Sequence, residues 1–138
     1  MLFVYVAYVL LTSLIFVVAF PFAWIYVQIT GKHSDHLAER LGRIPRTAIA
    51  GLSGQPRVWF HAVSLGEVKV AEAVITALRK RIPGCAILLS TTTKHGRELA
   101  QSLDLENFSV VYLPLDLVFC VRPALSRVRP QAMVFIET

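Results

Sequence analysis

The sequence predicts an α/β fold, in which an apolar membrane helix is followed by a parallel sheet carrying helices on both faces. Three observations carry that expectation. Met1 to Thr30 contains no Lys, Arg, Asp, Glu or His, although the whole chain has 14 basic and 9 acidic side chains. Beyond it, four short apolar runs are separated by segments of helical periodicity, the alternation that builds a parallel sheet. Those runs are nearly continuous in apolar character, as strands buried on both faces are. At 138 residues the chain has room for one domain of ordinary size and not for two. Its 55% hydrophobic and 17% charged content departs from globular averages because of the uncharged N-terminal stretch. The formal net charge of +5 belongs to the remainder and suits a surface meeting anionic headgroups or phosphorylated ligands.

Residues 1–30 read as a transmembrane anchor. A bilayer core takes roughly 20 apolar residues in a helix, and Met1 to Val27 exceeds that. Trp24 and Tyr26 fall where amphipathic rings favour the headgroup region, and Pro21 is expected to kink the helix or mark its exit. A cleaved signal peptide would need a charged start, a shorter apolar core and a small-x-small site, none of which is present. A buried core helix would show a polar face, and none is seen.

Residues 31–56 read as a basic juxtamembrane helix and linker. Lys32, Arg40, Arg43 and Arg46 outnumber Asp35 and Glu39, which places the rest of the chain in the cytoplasm by the positive-inside rule. Leu37, Leu41 and Ile44 recur at helical spacing, suiting a short helix laid against the membrane or the domain. Pro45 to Gln55 reads as a linker from its turn-forming residues.

Residues 57–138 read as part of a Rossmann-like domain. Arg57 to Val63 is the first strand, and Glu67 to Arg81 the first helix, with Ala71, Val74, Ile75 and Leu78 on one face and Pro83-Gly84 as its stop. Ala86 to Ser90 is a strand, Lys94 to Leu103 a helix, and Val110 to Leu113 a strand ended by Pro114. Asp116 is the expected N-cap of a helix reaching about Arg127. Pro123 inside it is expected to force a break, at a cost of ~3 kcal/mol. Ala132 to Glu137 is the fourth strand, and with the chain ending directly after it the domain reads as incomplete.

Ligands of such sheets sit at the carboxyl ends of the strands, where two carboxylates fall: Glu67 after the first strand and Glu137 at the close of the fourth. Ser64-Leu65-Gly66-Glu67 also fits a capping box, in which the Glu side chain bonds the backbone at Ser64. A carboxylate at a helix start is favoured as the anion and is a weak base, which suffices against a cation-like electrophile. Gly66 would let a ligand approach the helix N-terminus. Neither a dinucleotide fingerprint nor a P-loop is present, so nicotinamide and P-loop nucleotide readings are unsupported. His61 is either an acid–base group or a hydrogen-bonded core residue. The hydroxyl-rich turn Ser90 to Gly96, with Thr92 at its centre, either binds sugar hydroxyls or phosphate, or caps the next helix. Four histidines without paired carboxylates suggest no metal site. Cys85 and Cys120 lack metal or redox spacing and read as buried thiols.

Trp59-Phe60-His61-Ala62-Val63-Ser64-Leu65-Gly66-Glu67 resembles the His-x-x-Ser-x-Gly-Glu segment of 3-deoxy-D-manno-octulosonic acid (Kdo) transferases. The likeness continues in order through Ser90-Thr91-Thr92-Thr93-x-x-Gly96, Tyr112-Leu113-Pro114-Leu115-Asp116, Val128-Arg129-Pro130 and Ile136-Glu137-Thr138, and earlier in Glu39-Arg40-Leu41-Gly42. The resemblance implies the N-terminal, acceptor-side domain of a GT-B glycosyltransferase. It implies transfer of Kdo from CMP-Kdo to the lipid A precursor (lipid IVA) at the cytoplasmic face of the bacterial inner membrane. CMP-Kdo would be a co-substrate bound by a C-terminal domain that these residues do not include. No cofactor and no nucleic-acid partner are implied, and the 138 residues alone are expected to be inactive. By position, Glu67 matches the proposed general base and Glu137 the first Glu of a Glu-Thr-Glu segment lining the cleft. Ser64 and Gly66 match the loop shaping the acceptor site. Pro123 stands where members often carry a basic residue. Two alternatives stay open: another membrane-associated GT-B enzyme, or a non-catalytic membrane-tethered acceptor-binding module.

Overall fold

The computed structural model describes residues 2–30 and 36–137, leaving aside the side chains of residues 2, 23, 24 and 26–30. Lys32, Asp35, Thr138 and the rings of Trp24 and Tyr26 therefore lie outside the described parts. The elements are α1 (Leu2–Thr30), α2 (Leu37–Arg40), α3 (Arg46–Ala50), β1 (Arg57–Ala62), α4 (Leu65–Arg81), β2 (Ala86–Thr91), α5 (Lys94–Gln101), β3 (Phe108–Tyr112), α6 (Val118–Val128) and β4 (Ala132–Ile136).

The four strands form one parallel sheet in the order β3-β2-β1-β4. Alternation along each strand divides the core in two. Phe60, Ala62, Ile87 and Leu89 face α4 and α5, meeting Val68, Ala71, Ile75 and Ala100. Trp59, Ala86, Leu88 and Val111 point the other way, onto Ala124 and Val128 of α6 and onto Ile44 and Leu52. Burying an aliphatic or aromatic side chain of this kind contributes about 1.5–3 kcal/mol, so both layers hold the sheet. Cys85 and Cys120 are buried free thiols. Reversal of strand order between β1 and β4 creates a switch point, and the crevice above it is where such sheets bind ligands.

Three expectations shift. Pro45 to Gln55 is packed: it holds α3 and contributes Leu52, 2% exposed, to the core alongside Ile44. Helix α6 runs unbroken through Pro123, because Ala124 and Val128 on its inner face are fully buried and hold the helix despite the missing N–H. Asp116 does not cap α6. Its N-cap is Leu117, without a side-chain bond, and Asp116 instead accepts a 2.9 Å hydrogen bond from the Tyr8 hydroxyl.

Helix α1 continues through Pro21, and its segment Phe3–Phe22 is long and apolar enough to cross a membrane. It touches the domain through Tyr8–Asp116 and through the Phe16 and Phe119 rings, 5.0 Å apart. A helix embedded over Phe3–Phe22 would exchange both contacts for lipid.

Candidate active site at the carboxyl edge of the sheet

The turn from β1 into α4 places Glu67. Extended backbone at Ser64 (φ −110°, ψ 169°) makes it the N-cap of α4, and its Oγ accepts from the Glu67 N–H at 3.4 Å. The Glu67 carboxylate reaches back with one oxygen: Oε2 accepts from the Ser64 N–H at 3.1 Å and from the Val63 N–H at 2.6 Å. The capping box is therefore formed. Oε1 has no hydrogen-bond partner among the described residues, and the side chain is only half-buried. Gly66, one residue earlier, is exposed, and a Cβ added to it would meet only Ser64 Oγ, at 3.9 Å. Nothing in the packing demands glycine there, and the space above the first turn of α4 is open.

Glu137 follows Ile136, which pairs with Ala62, so it stands at the end of the strand beside the one leading to Glu67. Both predicted carboxylates thus come to adjacent strand ends at the switch point. Glu137 is exposed. The hydroxyl-rich turn divides its work. Thr93 caps α5, accepting from the Gly96 N–H at 3.1 Å, and donates to the Val63 carbonyl at 3.0 Å, tying this turn to the β1–α4 loop. Thr92 is exposed, with its carbonyl taken by Arg40 at 2.9 Å. Ser64, Gly66, Glu67 and Glu137 are gathered at β1 and β4, whereas Thr92 stands at the end of β2.

His61 is a satisfied core residue. Its Nδ1 lies 3.1 Å from the Ser90 carbonyl and 3.0 Å from Ser90 Oγ, which also accepts from Trp59 Nε1 at 2.9 Å and donates to the Phe60 carbonyl at 3.2 Å. A carbonyl only accepts, so Nδ1 carries the proton and Nε2 is left as an acceptor. Burial pushes the His61 pKa below its ordinary value; the Ser90 carbonyl and the Glu67 charge offset this only in part.

A polar cluster beside this edge joins residues too far apart in sequence to show in any local pattern. Glu39 is 4% exposed and receives Arg97 through two bonds of 2.6 and 3.2 Å, the Tyr112 N–H at 2.7 Å, and His36 at 3.0 Å. Burial alone pushes the Glu39 carboxyl upward, but the bonds from Arg97 and Tyr112 with the Arg97 charge and His36 outweigh it and hold its pKa below the ordinary value. The Arg40 and Arg97 guanidinium groups lie 4.4 and 4.5 Å from the centre of the Tyr112 ring, within cation–π range. Gly42 completes the fastening: at φ +83° it packs so closely that a Cβ would lie 1.9 Å from the Cys120 carbonyl oxygen. The only signal in the sequence was Glu39-Arg40-Leu41-Gly42 as part of a family likeness; nothing near it announced that Arg97, 58 positions away, would pair with Glu39.

A family profile described as 3-Deoxy-D-manno-octulosonic-acid transferase (kdotransferase) matches residues 35–138. The chain belongs to this family. Among proteins named 3-deoxy-D-manno-octulosonic acid transferase, that of Chlamydia pneumoniae is 30% identical over 123 residues, covering 88% of this chain and 28% of its own length. Those of Bordetella pertussis (30% over 127 residues, 85% and 29%) and Haemophilus influenzae (29% over 107 residues, 78% and 24%) are similar. The chain therefore spans about a quarter of the length of the Kdo transferases it matches. No solved structure shows significant similarity. An α/β body with a four-stranded parallel sheet behind an apolar helix fits the N-terminal domain of a GT-B Kdo transferase.

Proposed function

We propose that a protein containing this chain transfers Kdo from CMP-Kdo to the lipid A precursor (lipid IVA), and that these residues form the acceptor side of its cleft. Membership of the Kdo transferase family supports the sugar-transfer chemistry. The observation that carries the site is the arrival of Glu67 and Glu137 at neighbouring strand ends, on the switch-point crevice.

In this mechanism the acceptor hydroxyl oxygen attacks the anomeric carbon of Kdo, and the bond from that carbon to the CMP phosphate oxygen breaks. The hydroxyl proton passes to the Glu67 carboxylate through Oε1, while Oε2 stays on the helix start and fixes the group's direction. Displacement from the opposite face inverts the anomeric centre. Ser64 and Gly66 shape the acceptor side of the turn, and the Thr92 hydroxyl and Glu137 contact acceptor sugar hydroxyls. CMP-Kdo is a co-substrate, and the chemistry needs no cofactor. Helix α1 would hold the enzyme in the bacterial inner membrane, with the α/β body facing the cytoplasm, in the plane where a lipid acceptor lies.

The formed capping box favours a second, narrower reading, in which Glu67 only starts α4 and the chain is an acceptor-binding module. Assay of a full-length protein containing this chain, with CMP-Kdo or UDP-sugars as donor and lipid IVA as acceptor, tests the assignment. Kdo transfer is expected. Transfer only from UDP-sugars would contradict it; Kdo transfer by the 138 residues alone, which are expected to be inactive, would contradict their being only the acceptor side.

A further inference from the structure

The arginines divide into two sets. Arg40, Arg57, Arg79, Arg97 and Arg129 each hold a carbonyl or carboxylate of the protein. The side chains of Arg43, Arg46, Arg81, Arg122 and Arg127 have no hydrogen bond or ion pair among the described residues. Three of those five, Arg43, Arg46 and Arg127, line one groove of about 550 Å³, with Pro45, Pro123 and Ser126. Among the described residues no acidic side chain lines it. It runs between the segment ahead of α3 and the second half of α6, and Ser64, Gly66, Glu67, Thr92 and Glu137 are not among its lining residues.

The groove is held in shape by its backbone. Gly42, in a left-handed conformation, lies against the Cys120 carbonyl of α6, and Ile44, 2% exposed, anchors the loop between Arg43 and Arg46 in the core. Three cations from segments more than 80 positions apart are thereby set around one concavity without a counterion among the described residues. Like charges brought together repel, and an oxyanion between them removes that cost. The volume falls in the range of small-ligand sites. Arg43 and Arg46 also follow the apolar helix α1 closely in sequence, where basic side chains meet anionic headgroups.

We propose that Arg43, Arg46 and Arg127 form a binding groove for the phosphate of an anionic phospholipid headgroup, seating the α/β body on the membrane surface. The groove stands apart from the sugar-transfer site, so its test needs no activity. The 138-residue chain in maltoside micelles is titrated with dihexanoyl phosphatidylglycerol, dihexanoyl phosphatidylcholine or inorganic phosphate, and NMR shifts of the three arginines are followed. Phosphatidylglycerol should shift all three saturably, with little response to phosphatidylcholine. The double substitution Arg46→Gln/Arg127→Gln should weaken that binding by about tenfold or more, while Arg81→Gln, on an exposed arginine of α4, leaves it unchanged. Circular dichroism checks that each variant is folded. An equal response to inorganic phosphate would overturn the lipid assignment. Equal weakening by Arg81→Gln, or no saturable response to any probe, would overturn the groove.

Discussion

Glu67 uses one carboxylate oxygen on its helix start and leaves the other without a described partner, so capping and the proposed proton transfer would not compete for the same atom. Glu39, by contrast, is fully committed. Breaking a buried pair strands the remaining charge, so Glu39→Ala should destabilise the fold by ~3–5 kcal/mol, and a double change of Glu39 and Arg97 to apolar residues of similar volume should recover much of that. Denaturant unfolding of the three variants checks both statements. The same carboxyl sets an acid limit. Its folded pKa lies below its ordinary value of 4.5, so the unfolded chain takes up the proton first. The stability it contributes is complete above that value and is lost as pH falls through the folded one. His61 acts in the same direction over a higher range: its folded pKa lies below 6.5, the unfolded chain protonates first, and stability declines as pH drops below 6.5. Unfolding temperatures followed from pH 7 downward should fall in wild type, with Glu39→Gln flattening the fall near and below pH 4.5 and His61→Gln flattening the fall that begins near pH 6.5.

At the scale of elements, what the sequence made legible was what local pattern controls. The four apolar runs are the four strands, and α4 and α5 lie where their periodicity and their stop signals put them. The misses have tertiary causes. Helix α3 has five residues, too few for an apolar stripe to repeat, and Pro45 to Gln55 resembles a linker until Ile44 and Leu52 are seen inside the core. Pro123 carries a local backbone cost, but burial of Ala124 and Val128 decides the course of α6. Of the candidate site, Glu67 and Glu137 could be found because both follow strands; the Glu39–Arg97 pair could not, because its partners meet only through the sheet. Gly42 offers a direct check on the fastening between the segment after α1 and α6. Gly42→Ala should lower the denaturant midpoint, with the left-handed backbone alone costing ~1–2 kcal/mol and the clash with the Cys120 carbonyl adding to it. An unchanged midpoint would show that this contact does not hold the segment.

On the scale of the whole molecule, α1 has two possible neighbours for one surface. Outside a bilayer, Phe16 packs on Phe119 and Tyr8 on Asp116; within one, both rings belong in lipid. A spin label at position 16, introduced as Phe16→Cys while Cys85 and Cys120 remain buried and unreactive, distinguishes the two. In bilayers the label should be accessible to oxygen and shielded from water-soluble nickel complexes. Nickel accessibility would mean that α1 stays on the domain and does not span. The rest of the molecule then has a plain division of labour. The Glu39 cluster and Gly42 fix the segment after α1 to the sheet; in the proposed enzyme α1 would hold the membrane and the β1–β4 switch point would present two carboxylates to the acceptor.

The decisive measurement is Kdo transfer by the Glu67→Gln variant of the full-length protein, set beside its thermal unfolding. Glutamine serves a capping box nearly as well as glutamate but cannot take up the acceptor's proton. Unfolding should therefore be almost unchanged while transfer falls by 10²-fold or more, the lower end of what a positioned base contributes. Transfer near the wild-type rate in a stably folded variant would leave Glu67 with its cap alone.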